Sequence, residues 1–266
     1  MGFIEHEIEL CERRIKKIDE SPDPNRLKSN KMAYELELDL RVDLLRAWHE
    51  GQPFGAINIP FLLFQATGLG SLDFNQAANR RSAQMPAVSL ERLHDLRAKG
   101  FPYNCCDGAL MGVDMVITGE LPKPAVVVDW GTCEPLTMAN TAMAKWCGSH
   151  LFHLDVPFEV NDDTLEYVTA QLREFIGFVE SKIPGARYDE DKLIELQELN
   201  RIAMGYFHDS YELRKHVPCP IPARDALRLP RMPSDFPDPR KGLEWIRIWR
   251  DELQDRVNRG TSTAGQ

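Results

Sequence analysis

The sequence predicts an α/β fold: a parallel-sheet domain with helices on both faces, extended by long helices. Three stretches carry that expectation. Pro124–Trp130, PAVVVDW, is β-branched, apolar and introduced by a proline, the pattern of a buried strand. Pro135–Cys147 has helical spacing with a proline in its first turn, and Leu151–Asp155 is a second, shorter apolar run. Strand, helix and strand at this spacing imply two parallel strands joined by a crossover helix.

The remaining elements follow in chain order. Lys31–Glu50 is ambiguous, because Leu36, Leu38, Leu40 and Val42 alternate like a strand while Ala33, Leu36, Leu40, Leu44 and Ala47 follow helical spacing. Its length, its Leu, Glu, Arg and Ala content and the terminating Gly51 favour a helix. Pro53–Ile59 suits a short buried strand, Leu90–Lys99 a helix stopped at Gly100, and Gly108–Val113 another helix. From Asn161 the chain turns helical. Leu165, Val168, Leu172, Phe175, Ile176 and Val179 mark one apolar face, with Asp163 and Glu166 spaced as a capping box. Leu193, Leu196, Leu199, Ala203, Tyr206 and Leu213 mark a second. Seven prolines in Pro218–Pro239 exclude regular structure there, and Leu243, Ile246, Trp249, Leu253 and Val257 resume a helix. This divides the chain into N-terminal helices (1–50), an α/β domain (51–160), a helical extension (161–217) and a proline-rich connector with a terminal helix (218–266).

Composition narrows the function classes. With 266 residues, 43% of them hydrophobic, and no apolar run near the eighteen or so that a span needs, a membrane protein is not expected. The N-terminus carries acidic residues and no apolar leader, so the expected compartment is the reducing cytoplasm. A net charge of −9, without any Lys/Arg-rich run, argues against nucleic acid as a partner. Gly68-Leu69-Gly70 lacks the spacing of a dinucleotide loop, and neither a nucleophile elbow nor an H-E-x-x-H helix is present.

In a reducing compartment six irregularly spaced cysteines are thiols or metal ligands rather than a disulfide framework. Cys133 follows the best strand and precedes a helix, at the sheet edge where open α/β folds bind ligands. A helix N-terminus there also stabilises the thiolate that binds metal. Cys105 and Cys106 occupy a similar turn before Gly108–Val113. Spacing alone leaves two readings open, buried thiols or metal ligands, and favours the former, because no C-x-x-C pair is present and free cysteine is among the most buried residue types. Cys11, Cys147 and Cys219 read as packing residues. His153, alternating with Leu151 on a supposedly buried strand, reads as a satisfied core histidine, and Asp155 as a loop cap with a weaker claim to a site.

Several segments in order then resemble one family, the 2-hydroxyacyl-CoA dehydratase and benzoyl-CoA reductase subunits of D-component type. They are Lys31–Phe54, Ala98–Cys106 (AKGFPYNCC), Gly119–Pro135 (GELPKPAVVVDWGTCEP), His153–Glu159 (HLDVPFE), Thr164–Glu180, Tyr188–Arg201, Tyr211–Leu227 and Glu244–Gly260. The resemblance implies Rossmann- or flavodoxin-like domains, two per subunit, with an iron-sulfur cluster at their interface. It implies Cys106, by its distance from Gly100, and Cys133, in the G-T-C turn, as ligands of a 4Fe-4S cluster, with Cys105 as the fallback for Cys106. A third cysteine would come from a second domain that this sequence lacks.

The implied chemistry is the transfer of one low-potential electron to a CoA thioester, giving a ketyl radical anion that loses hydroxyl or goes on to ring reduction in an oxygen-sensitive, anaerobic enzyme. The implied partners are a homologous second subunit and an ATP-dependent iron-sulfur activator; the substrate is an acyl-CoA. Two other readings stand beside it: a truncated, non-catalytic scaffold subunit without a complete cluster, and a zinc-binding domain.

Overall fold

Val126–Asp129 forms the strand that its β-branched run predicts, fully buried, and the sheet is assembled around it. In this computed structural model the residues described are 2–21, 23, 26–57, 61–131, 133–222 and 231–261. They divide into two units, Phe3–Arg46 with Asp191–Gln266, and Ala47–Glu190.

The second unit holds the sheet. Its elements are β1 (Phe54–Ala56), α3 (Leu62–Ala66), β2 (Gly70–Leu72), α4 (Phe74–Gln84), α5 (Pro86–Ala98), α6 (Asp107–Ile117), β3 (Val126–Asp129), α7 (Glu134–Cys147), β4 (His150–His153) and α8 (Asp162–Lys182). The four strands are parallel, in the order β2-β1-β3-β4. Phe54 pairs with Gly70, Gly55 with Val126, and Val126 with His150. The expected α/β parallel-sheet class is therefore what the chain adopts, with the β3-α7-β4 crossover where strand and helix patterning put it. Leu110, Val113, Met115 and Val116 of α6 are fully buried, as are Ala139 and Met143 of α7. β1 is shorter than the predicted Pro53–Ile59 run, of which Asn58 and Ile59 lie outside the described residues.

Two local expectations are corrected. β4 is an edge strand, and Leu151 is exposed, because only β3 flanks it. The cap of α8 sits two residues earlier than predicted. Asn161 accepts from the Thr164 backbone N–H (2.9 Å) and Thr164 Oγ1 accepts from the Asn161 backbone N–H (2.9 Å). Asn161 has extended backbone angles and so can turn its side chain onto the first turn, whereas Asp163 is already helical. Leu165, expected on the apolar face, is exposed; Phe175 and Val179 are the buried members.

The first unit is helical: α1 (Phe3–Glu20), α2 (Ser29–His49), α9 (Glu190–Leu213) and, after a short 3₁₀ turn at Pro233–Asp235, α10 (Pro239–Arg259). Leu36, Ala203, Phe207, Trp245, Ile246, Trp249 and Leu253 form its core. The Glu252 carboxylate accepts from the Lys28 and Ser29 backbone N–H groups (2.7 and 2.9 Å), so α10 supplies the cap that the first turn of α2 needs.

Candidate functional site

The chain leaves β1 toward β2 on one side and β3 toward β4 on the other. The carboxyl ends of β1 and β3 therefore flank a topological switch point, where open α/β sheets form their ligand crevices. α6 leads into the amino end of β3, so its own N-terminus returns to the carboxyl edge. α7 starts there directly.

Cys106 is the N-cap residue of α6 and Cys133 the N-cap residue of α7. Both are exposed, and neither side chain makes a capping hydrogen bond. Two sulfurs thus stand uncommitted at neighbouring helix starts. Cys105 differs. It is buried, and its Sγ lies 3.6 Å from the Pro135 carbonyl oxygen in the first turn of α7, tying the two helix starts together. Burial pushes its thiol above the ordinary range, with smaller upward contributions from Cys106, Asp107 and Cys133, against a downward one from the Cys106 backbone N–H. Cys105 is therefore a packing thiol, whereas Cys106 and Cys133 are exposed.

Arg97 braces the same edge, pairing with Asp107 (2.7 Å) and lying over the Tyr103 ring (4.7 Å). Below α6, fully buried Arg81 reaches Asp114 and Glu120, each at 2.9 Å, and fixes α4 against α6.

A second group at this edge departs from the sequence reading. His153 at the end of β4 is not a satisfied core residue, because the edge position of β4 leaves its side chain 55% exposed. Its Nδ1 lies 2.9 Å from Oδ2 of Asp129, the buried last residue of β3. Asp129 Oδ1 accepts from Thr137 Oγ1 (3.1 Å) and Asn140 Nδ2 (2.9 Å) of α7. An alternating pattern cannot reveal such a pair, although Asp at the end of a buried strand beside a His-bearing neighbour was a usable signal. Asp155 accepts from Tyr167 Oη (3.0 Å), while Gln171 clasps its backbone N–H and C=O (2.8 and 2.9 Å), the geometry of a loop anchor.

Cys11 is buried, and Cys147 and Cys219 are half-buried; among the described residues no three His, Cys, Asp or Glu side chains are grouped to hold a metal ion. A cleft of about 670 Å³, lined by Trp48, Phe54, Val116, Leu121 and Lys123, opens at the amino edge of the sheet, the end opposite the cysteines. No helix among the described residues is long and apolar enough to cross a membrane.

Residues 63–265 match the family model described as 2-hydroxyglutaryl-CoA dehydratase, D-component. The chain belongs to this family. The match takes in both exposed cysteines, the Asp129–His153 pair and the helices from α4 onward; Lys31–Phe54 precedes it. No curated protein matches the chain. D-component membership makes this a dehydratase-type subunit, and a subunit of that kind works with a partner component.

Proposed function

We propose that the chain is the D-component-type subunit of an iron-sulfur 2-hydroxyacyl-CoA dehydratase, with Cys106 and Cys133 as its two thiolate ligands to a 4Fe-4S cluster. One observation carries the reading: two exposed, uncommitted thiols at neighbouring helix N-termini on the switch-point edge, inside the family match. The donors suit such a cluster, because iron-sulfur sites are held by thiolates. When bound, the cluster supplies low-potential one-electron chemistry to the CoA thioester.

The chain's own residues do the rest. The two helix starts present the sulfurs side by side, Cys105 fixes the loops to each other, and Arg81 anchors α6 beneath them. A third protein donor comes from outside the described residues. The partners are a homologous second subunit and an ATP-dependent iron-sulfur activator that delivers the electron, in a reducing cytoplasm; aromatic-ring reduction of the benzoyl-CoA reductase type is the other outcome of the same chemistry.

Anaerobic reconstitution of the chain with its partner subunit, iron and sulfide should give a broad visible absorption band, with iron and sulfide in equal amounts, that Cys133→Ala removes. No band with the partner present would sink the cluster assignment, and stoichiometric zinc without iron would replace it with a zinc site. Among the described residues no third donor is grouped with the thiols, which favours a second reading, a scaffold subunit that binds no cluster. Co-purification and activity that both survive Cys106→Ala with Cys133→Ala would establish it.

A further inference from the structure

The Asp129–His153 pair lies apart from the proposed cluster ligands, and its construction is specific. Asp129 is 2% exposed, and its carboxylate takes three donors: Thr137 and Asn140 on one oxygen, His153 Nδ1 on the other. Among the described residues no lysine or arginine pairs with it. A buried carboxylate without a fixed cation is costly unless every lone pair is engaged, and here the one partner able to carry charge is the imidazole. A carboxylate oxygen accepts, so the contact places a proton on Nδ1, and in the neutral ring Nε2 is then the acceptor nitrogen.

Nε2 has no partner among the described residues, and the ring is more than half exposed. The ring lies over Gly131 in the loop that leads to Cys133. A Cβ on Gly131 would sit 3.6 Å from Cε1 and 3.9 Å from Nε2, and its φ of +65° is one that side-chain-bearing residues rarely adopt. The loop backbone thus runs close under the imidazole, at the same carboxyl edge as the two exposed thiols.

We propose that His153 is the proton-transfer residue of the dehydration and that Asp129 is its positioning residue. The inference rests on the function proposed above and deepens it. In net terms the C3–H bond of the 2-hydroxyacyl group breaks and its proton goes to Nε2. The electron pair becomes the C2=C3 π bond, the C2–O bond breaks, and the departing hydroxyl takes the proton as water; oxidation levels balance overall. The imidazolium formed in between is stabilised by the buried Asp129 carboxylate. Positioned acid-base groups contribute about 10²–10⁴-fold, so that is the loss expected when the imidazole is removed.

The test uses the reconstituted assembly of this chain with its partner subunit and activator, assayed on a panel of 2-hydroxyacyl-CoA thioesters beginning with 2-hydroxyglutaryl-CoA. His153→Ala should lower kcat about 10²–10⁴-fold with iron content and thermal midpoint unchanged. Added imidazole should restore part of the rate, and the isotope effect with C3-deuterated substrate should rise. Asp129→Asn should move the ring proton off Nδ1 in ¹⁵N NMR spectra and lower kcat with little change in KM. Should Asp129→Asn fail to fold, the exposed His153 variants still decide the matter. His153→Ala and His153→Gln both within threefold of wild type, or a loss that imidazole cannot restore, overturns the inference alone. A wild-type assembly that carries its cluster yet dehydrates none of the thioesters overturns the proposed function and this inference with it.

Discussion

Replacing Arg81 by methionine should be among the most damaging single changes in the sheet unit. The guanidinium is fully buried, with Nη1 2.9 Å from Asp114 Oδ2 and Nη2 2.9 Å from Glu120 Oε1. Asp114 is 3% exposed at its side chain and Glu120 23%. At such separations each contact is worth about 6 kcal/mol gross at an effective dielectric of about 20, most of it cancelled by desolvation of the charges. Methionine fills much of the stem's volume but leaves the Asp114 charge buried and unpaired, for which the cost is about 3–5 kcal/mol. A domain stable by about 5–15 kcal/mol loses a large fraction of that. Urea unfolding followed by circular dichroism should show the midpoint fall. Adding Asp114→Asn to Arg81→Met should recover part of the loss, since a neutral amide needs no counter-charge, giving a coupling energy of about 1 kcal/mol or more. A single-variant cost under about 1 kcal/mol, or strictly additive effects, would refute the claim that this ion cluster holds α4 to α6.

Three further outcomes follow from the same geometry. Cys105→Ala should keep the iron content of the reconstituted assembly near wild type at some cost in stability, whereas Cys106→Ala should lower it; the reverse result in iron analysis would reassign the ligand to Cys105. Gly112→Ala places a Cβ 2.4 Å from the ring of fully buried Phe74 and 3.3 Å from its carbonyl oxygen. Overpacking of about 1–3 kcal/mol should outweigh the helix-propensity gain of about 1 kcal/mol, and an unchanged or raised melting temperature would contradict this. Burial holds the Glu120 carboxyl above the ordinary glutamate range, against the opposing pull of Arg81. The folded state therefore keeps this proton more tightly than the unfolded chain, and stability should decline as pH rises from the ordinary glutamate value through the raised one. Glu120→Gln should flatten that slope in unfolding curves measured between pH 4 and 7.

Much of the α/β core was legible because local chemistry and tertiary role agree there. Val126, Val127 and Val128 prefer strand and are buried on both faces; Pro135 and the apolar spacing of 136–144 start and face α7. The three-residue strand β2, Gly70–Leu72, was not legible, since a glycine and a serine carry no strand preference and only pairing with β1 makes them one. The helical reading of Lys31–Glu50 held over Ser29–His49, while the α8 cap moved to Asn161 because capping depends on backbone angles that several nearby acidic and amide residues could have adopted.

At the candidate site, the sequence by itself singled out Cys105, Cys106 and Cys133 in turns that precede helices, favoured buried thiols by spacing, and named Cys106 and Cys133 only through the family resemblance. Their order in the chain could not separate Cys105 from Cys106, because adjacent residues share every sequence signal. Tertiary structure separated them, burying Cys105 against Pro135 and leaving Cys106 and Cys133 exposed on helix starts. It also decided the fate of His153. Alternation reports that a strand has two faces but not how many strands flank it, and the edge position of β4 turned an expected core histidine into an exposed imidazole held by a buried carboxylate.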